Sequence, residues 1–337
     1  MARKSTKMSR IKNIEPSPLT ISIKIPVPEP GSGIASAYVD LSQCASLIAR
    51  RFYRQGLNWG IAGMKISSSN PGTLVVSKIP NTWVAAAAWT KAFNHWNRQQ
   101  MDAVDKAGAE SAVARFRDFK VLADPAHLLA AQAVGYDMNL TNLLPIDFAG
   151  NAYAGGEWQL SEIVIPNLVP DASGSLVDPF DFKLHMVGVN NVGGVSRGII
   201  EGYADSRAYP QSPDPVSPDI GSDDNWLQRM FDVGADHEEI LDNATDRNDD
   251  LPYPQVNYPG GETQAPQLEL HDISTVYSSS ATTSVAATRI KGGNMPCGLI
   301  RFDWTQQSGP ITQEILIQID MIPGSHRGYL AEPMQEM

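Results

Sequence analysis

Residues 19–27 read LTISIKIPV and residues 314–322 read EILIQIDMI. In the first, Leu19, Ile21, Ile23, Ile25 and Val27 alternate with Thr20, Ser22 and Lys24. In the second, Ile315, Ile317, Ile319 and Met321 recur at the same spacing. A period of two puts each apolar set on one face of a pleated strand, so both stretches predict half-buried strands. Pro26 cannot donate to a ladder, which places it at a strand end or on an edge. Both ends of a 337-residue chain therefore read as β-structure, and that constrains the fold more than any other feature.

Between them, 57–66 (LNWGIAGMKI), 73–79 (TLVVSKI), 157–165, 180–189, 198–204, 267–277, 282–290 and 297–304 carry similar signals. SSSNPG separates the first two, and NNVGG precedes the segment at 198; both are turn sequences. About ten strands, many with polar residues at alternate positions and with no βαβ rhythm, predict an all-β antiparallel fold. The 27 glycines and 24 prolines, spread along the chain, suit many turns. Two helices are expected. Asp40 can cap LSQCASLIARRF (41–52), and a longer helix runs from near Thr82 to Gly108. In the longer one Trp89, Phe93 and Trp96 share a face, a pattern that favours core or subunit packing over a ligand platform.

Apolar residues make up 42% of the chain and charged ones 19%, which fits a globular protein. Cys44 and Cys297 stand far apart in no metal or redox spacing, so two buried free thiols are expected ahead of the alternative, one disulfide. The most apolar run, WVAAAAW (83–89), falls far short of the roughly 20 residues that a membrane span needs. The basic start is followed by Glu15, Pro16, Pro18 and Lys24 instead of an apolar stretch, so a soluble protein without a secretory signal is expected.

Motifs for chemistry are weak. Gly194–Gly198 matches the G-x-S-x-G elbow, with Asp303 and His326 available to complete a triad around Ser196. The elbow needs a strand turning into a helix, whereas GIIEGYA is β-branched and aromatic and reads as a hairpin strand; a serine hydrolase is therefore the weakest reading. His237-Glu238-Glu239 begins like a zincin helix, but Leu241 stands where the second ligand belongs. Asp246, Asn248 and Asp250 resemble EF-hand donors until Leu251 replaces the glycine and Asn257 the bidentate acid. No resident cofactor is expected; loosely bound Ca²⁺ at the acidic loop or between subunits is the one metal expectation.

The formal charge is −11, yet MARKSTKMSRIK at the start holds Arg3, Lys4, Lys7, Arg10 and Lys12 and no acid. Residues 205–250 hold thirteen acids against Arg207, Arg229 and Arg247, a block of −10. A basic arm without apolar periodicity contacts phosphates without reading sequence. Arg50, Arg51 and Arg54 flank Phe52 and Tyr53, a mixture that suits single-stranded nucleic acid through stacking and backbone contacts. The plainer reading is a helix end, with the arginines at the negative end of the dipole and Phe52 in the core. Arg115, Arg117 and Lys120 form a weaker basic group.

Val39-Asp40-Leu41-Ser42-Gln43, Arg50-Arg51-Phe52-Tyr53-Arg54-Gln55-Gly56, TWVAAAAWTKAFNHWNRQQM (82–101) and IPGSHRGYLAEPM (322–334) carry a likeness. With them the chain resembles the capsid (coat) proteins of circular Rep-encoding single-stranded DNA (CRESS-DNA) viruses of the environmental type. The resemblance implies a single jelly-roll β-sandwich of two four-stranded antiparallel sheets, with inserted helices and long loops and with first and last strands side by side. It implies a basic arm at 1–17, a shell domain at 18–325 with a helical insertion near 82–108 and an acidic loop insertion near 205–265, and a tail at 326–337. It further implies no enzymatic activity and icosahedral self-assembly of 60 copies or a multiple. The arm would face a packaged single-stranded genome, in a virion assembled in the host nucleus or cytoplasm; the receptor is not specified. One departure is the short arm: roughly sixty copies supply only about 300 positive charges, too few for a genome of thousands of phosphates. The rival reading is a jelly-roll carbohydrate- or ligand-binding module with a Ca²⁺ site in the acidic block.

Overall fold

The computed structural model describes residues 17–27, 34–109, 118–165, 180–190, 192–208, 267–277, 287–307 and 314–336. Most of the arm and of the acidic block (1–16 and 209–266) lies outside these residues.

Two antiparallel sheets hold most of the strands. One contains β1 (Thr20–Ile25), β3 (Leu57–Ser67), β9 (Ala287–Met295), β11 (Ile315–Met321) and β14 (Ala331–Pro333); the other contains β2 (Ile34–Asp40), β4 (Gly72–Lys78), β8 (Glu269–Val276) and β10 (Leu299–Gln306). Their orders are β1-β11-β3-β9 and β2-β10-β4-β8. β14 pairs with Leu57–Trp59 at the start of β3, which makes the first sheet five-stranded where four strands were expected. The two alternating stretches at the ends of the chain are neighbours: Thr20 faces Asp320, Ile23 faces Ile317 and Ile25 faces Ile315. β1 with β11, β2 with β10, β3 with β9 and β4 with β8 are nested antiparallel pairs.

The register puts the apolar sets of both sheets against each other. Ile21, Ile23, Ile25, Ile61, Ile66, Ile317 and Ile319 meet Val39, Leu74, Val76, Ile300, Phe302 and Trp304 in one buried cluster. Each such side chain removed from water stabilises the fold by about 1.5–3 kcal/mol. β2 carries no strong strand signal, because two of its three inward positions, Ala35 and Ala37, are alanines.

The strand directions sort the connections. β4 leads at its far end into a long insertion and β8 returns from it. α1 (Leu41–Ala49), the start of β3, the β9–β10 connection and the end of β11 lie at that same end of the sandwich. The insertion contains α2 (Trp83–Ala107), α3 (Pro125–Ala133), α4 (Met138–Thr141), a small sheet of β5 (Glu162–Ile165), β6 (Phe180–His185) and β7 (Ser196–Gly198), and α5 (Ile199–Ala208). After β11, β12 (Pro323–Gly324) and β13 (Gly328–Tyr329) pair before β14.

Several expectations need correction. Of the strand expected over 198–204, only Gly198 is extended, at the end of β7, and 199–204 form the start of α5; Ile199 and Ile200 bury in the cluster that α2 builds, and packing overrides their β preference. Only Glu162–Ile165 of the expected strand 157–165 is extended in a ladder. α1 stops at Ala49 because Arg50 takes the left-handed conformation, φ 53° and ψ 37°. Residues 326–336 are no tail: Tyr329 and Met334 are buried and β14 completes a sheet. The helix expected over 82–108 is α2, with Thr82 accepting from the Ala85 N–H and Gly108 closing it at φ 59°. Its aromatic stripe is core: Trp89 stacks on Phe93 at 5.2 Å, and both pack with Trp96 around Phe119. Cys44 and Cys297 are free and buried, and burial pushes both thiols well above their ordinary range.

Candidate nucleic-acid interface

The backbone carbonyl of Arg327 collects three donors. Ser17 Oγ donates to it at 2.9 Å, the Tyr53 hydroxyl at 3.0 Å and Arg51 Nη1 at 3.4 Å. Arg327 itself has φ 50°, and its guanidinium donates back to the Phe52 carbonyl at 2.6 Å. The Tyr329 hydroxyl donates to the Pro18 carbonyl at 2.7 Å. The chain that follows the basic arm is thus fastened between Arg51 and Arg327, two segments 276 residues apart. Arg3, Lys4, Lys7, Arg10 and Lys12 themselves lie outside the described residues.

Arg50 is exposed at the C-cap of α1, and Arg54 is exposed three residues beyond Arg51. Arg54 borders a cleft of about 490 Å³ whose walls include Phe52, Leu57, Trp89, Phe93 and Phe119 and whose rim also holds Arg327. Gly56 is required there, since a Cβ on it would lie 2.1 Å from the Trp89 ring. Four arginines, 50, 51, 54 and 327, therefore come from one turn and one hairpin at the root of the arm. Arg327 was not anticipated; its only signal is a cation before a glycine in SHRGY, at a turn that sequence spacing cannot place beside residue 51. The third basic group does not join them. Lys120 is buried, pairs with Asp118 at 2.7 Å and lies 4.1 Å from the centre of the Trp158 ring. Arg115 and Arg117 lie outside the described residues.

What holds the arginine turn is a buried polar seam. Asp40 caps α1: its Oδ1 accepts from the Ser42 and Gln43 N–H groups at 2.8 and 3.3 Å. Its Oδ2 accepts from Gln55 Nε2 and Trp158 Nε1, each at 3.1 Å. Gln55 then clamps Val121, accepting from its N–H at 2.6 Å and donating to its carbonyl at 2.9 Å. His127 Nδ1 accepts from the Ala123 N–H at 3.2 Å, so the ring proton sits on Nε2 and goes to Asn142 Oδ1 at 2.9 Å. Asn142 Nδ2 donates to Gln43 Oε1 at 2.8 Å, and Gln43 Nε2 donates to Asn139 Oδ1 at 3.0 Å. The strings VDLSQ and RRFYRQG are thus largely fastenings between sandwich and insertion. Burial pushes Asp40 up to about 7 against the pull of the Gln43 and Ser42 N–H groups. Burial also holds His127 down at about 4, with its ring stacked on Tyr38 at 4.0 Å.

The serine motif sits in a strand-to-helix context, β7 into α5, not in the expected hairpin. Ser196 is nevertheless buried, and its hydroxyl donates to the Val192 carbonyl at 3.1 Å. Asp303 is bound by Arg301 and Ser36, and His326 packs on the Tyr53 ring at 6.2 Å, so the structure ties the three residues to different partners. Among the described residues no group of three or more His, Cys, Asp or Glu could hold a metal ion. The zincin-like and EF-hand-like stretches lie outside them. No helix among the described residues is long and apolar enough to cross a membrane. Comparison with known proteins finds no matching family model, no matching curated protein and no matching solved structure.

Proposed function

We propose that this chain is a capsid subunit of the CRESS-DNA virus type, which assembles with copies of itself and encloses single-stranded nucleic acid in a virion. The observation that carries the reading is the strand order. Nested pairs β1–β11, β2–β10, β3–β9 and β4–β8 describe one long antiparallel hairpin. Pairing of β11 with β3 and of β10 with β4 rolls that hairpin into two facing sheets, the connectivity expected of a jelly roll. The root of the arm supports the nucleic-acid half of the reading. A segment with five cations joins the sandwich among Arg50, Arg51, Arg54 and Arg327, where charge can hold a phosphate backbone regardless of sequence.

Size-exclusion chromatography with negative-stain microscopy tests assembly: uniform closed particles are expected. Nucleic acid is expected to copurify and to be released by salt. Deleting residues 1–12 should lower the slope of log affinity against log salt for single-stranded DNA by up to about 3.5, at roughly 0.7 per phosphate contact. A chain that stays monomeric at low and high salt, with and without Ca²⁺, overturns the reading, as does a deletion that leaves the slope unchanged for its nucleic-acid half.

A further inference from the structure

Asp147–Asn151 (DFAGN) forms a turn closed by its own hydrogen bonds. The Asp147 N–H donates to the Asn151 carbonyl at 2.8 Å, the Gly150 N–H to the Asp147 carbonyl at 3.1 Å, and the Asn151 N–H to Asp147 Oδ1 at 2.8 Å. Gly150 takes φ 82°, which a side chain would strain. The neck is equally fixed. Ile146 bridges Ala152, its N–H donates to the Ser22 carbonyl at 2.8 Å, and Pro145 pairs with Ile23 along the edge of β1. At the tip stands Phe148, 107% exposed and the most exposed large hydrophobic side chain among the described residues.

A scattered surface hydrophobe needs no explanation, but this one is an aromatic ring held clear of its own subunit by a braced turn. The backbone that carries the ring has already lost the freedom that docking would otherwise cost. The same chain carries a receptor of matching chemistry. The cleft at the start of β3 has aromatic and aliphatic walls, Phe52, Leu57, Phe93 and Pro333 among them, and Arg54 and Arg327 on its rim. Its volume of about 490 Å³ admits a phenyl ring, since a cavity of about 150 Å³ holds benzene. Asp147, exposed beside Phe148, offers the opposite charge to those arginines, and the ring itself attracts a guanidinium.

We infer that Phe148 of one copy enters the cleft rimmed by Arg54 and Arg327 of the next. This inference rests on the assembly reading above and names one of its contacts. The knob sits on the edge of β1 and the cleft at the start of β3, so donor and receptor patches differ. Used head to tail, such a contact propagates from copy to copy until a rotation closes it. It also places Arg54 and Arg327 within reach of both a neighbouring subunit and the arm's root.

Phe148→Ala in the full chain is the direct test. The side chain is solvent-exposed in the subunit, so circular dichroism and thermal melting of unassembled protein should match wild type. The concentration for half-assembly should rise by roughly 30-fold or more, the loss expected for an aromatic anchor. A second pair keeps the ring in place: Ala149→Cys combined with Gln335→Cys at the cleft, treated with a short bis-maleimide after assembly. Cys44 and Cys297 are buried, so a ladder of linked chains should appear for the double variant and for neither single one. Phe148→Ala assembling at wild-type concentration, or assembled double variant giving no ladder, overturns the inference while leaving the assembly reading intact. A wild-type chain that never assembles removes both.

Discussion

The apolar layer between the two sheets and the polar seam between sandwich and insertion are both buried, yet they cohere by opposite means. In the layer, Ile21, Ile23, Ile317, Phe302 and Trp304 attract without direction, and stability follows the area taken from water. In the seam, Asp40, Gln43, Gln55, His127 and Asn142 each need a particular partner, and a donor set against a donor costs more than the bond it replaces. The layer makes the sandwich stable. The seam decides how the insertion, and with it the arginine turn, sits on that sandwich.

Two substitutions separate the two. Phe302→Ala empties the middle of the layer and should cost about 4 kcal/mol by urea unfolding. A loss below about 1.5 kcal/mol would mean that the sheets are not held by this contact. Asp40→Asn barely changes shape, yet it turns an amide N–H₂ toward groups that all donate, so a loss of roughly 2–3 kcal/mol is expected.

The Asp40→Asn variant also exposes a hidden pH dependence. Asp40 is raised from 3.8 to about 7 by burial, so its contribution is full below pH 3.8 and is lost as pH rises through 7. His127 is lowered from 6.5 to about 4, so its contribution is full above pH 6.5 and is lost as pH falls through 4. Between pH 4 and 6.5 the two slopes oppose each other in the wild type. Asp40→Asn removes the carboxyl's opposing slope, so stability should rise more steeply with pH across that window than in the wild type; an unchanged profile would refute the coupling. The smallest effect belongs to the surface. Lys24 pairs with Glu314 at 3.0 Å, the lysine half-buried and the glutamate exposed, and Lys24→Ala should cost no more than about 0.5 kcal/mol. A larger loss would show that the sheet's outer face is stabilised by charge.

The layer was legible in the sequence because period-two alternation is local: Ile21-Ser22-Ile23 states its own two faces. β2 was less so, since Ala35 and Ala37 pack well while carrying little strand preference. α5 was misread because Ile199 and Ile200 are β-branched, and only the surface of α2 gives a helix there something to cover. The seam left a trace in VDLSQ and RRFYRQG, but nothing in those strings says that Gln55 reaches Val121 or that Gln43 meets Asn142. Among the candidate binding residues, Arg50, Arg51 and Arg54 announced themselves by density of charge. Arg327 and Phe148 did not, being single residues whose significance is entirely positional.

By itself the sequence determined a strand-rich antiparallel chain, its two terminal strands, the long helix over 83–107 and a charge layout of basic arm and acidic block. Those features depend on periodicity and composition, which neighbouring residues carry. The tertiary structure alone decided the nested strand pairing, the meeting of Arg51 with Arg327 and the exposure of Phe148. Each of these depends on contacts between residues far apart in the chain, and local pattern holds no record of which distant partner wins.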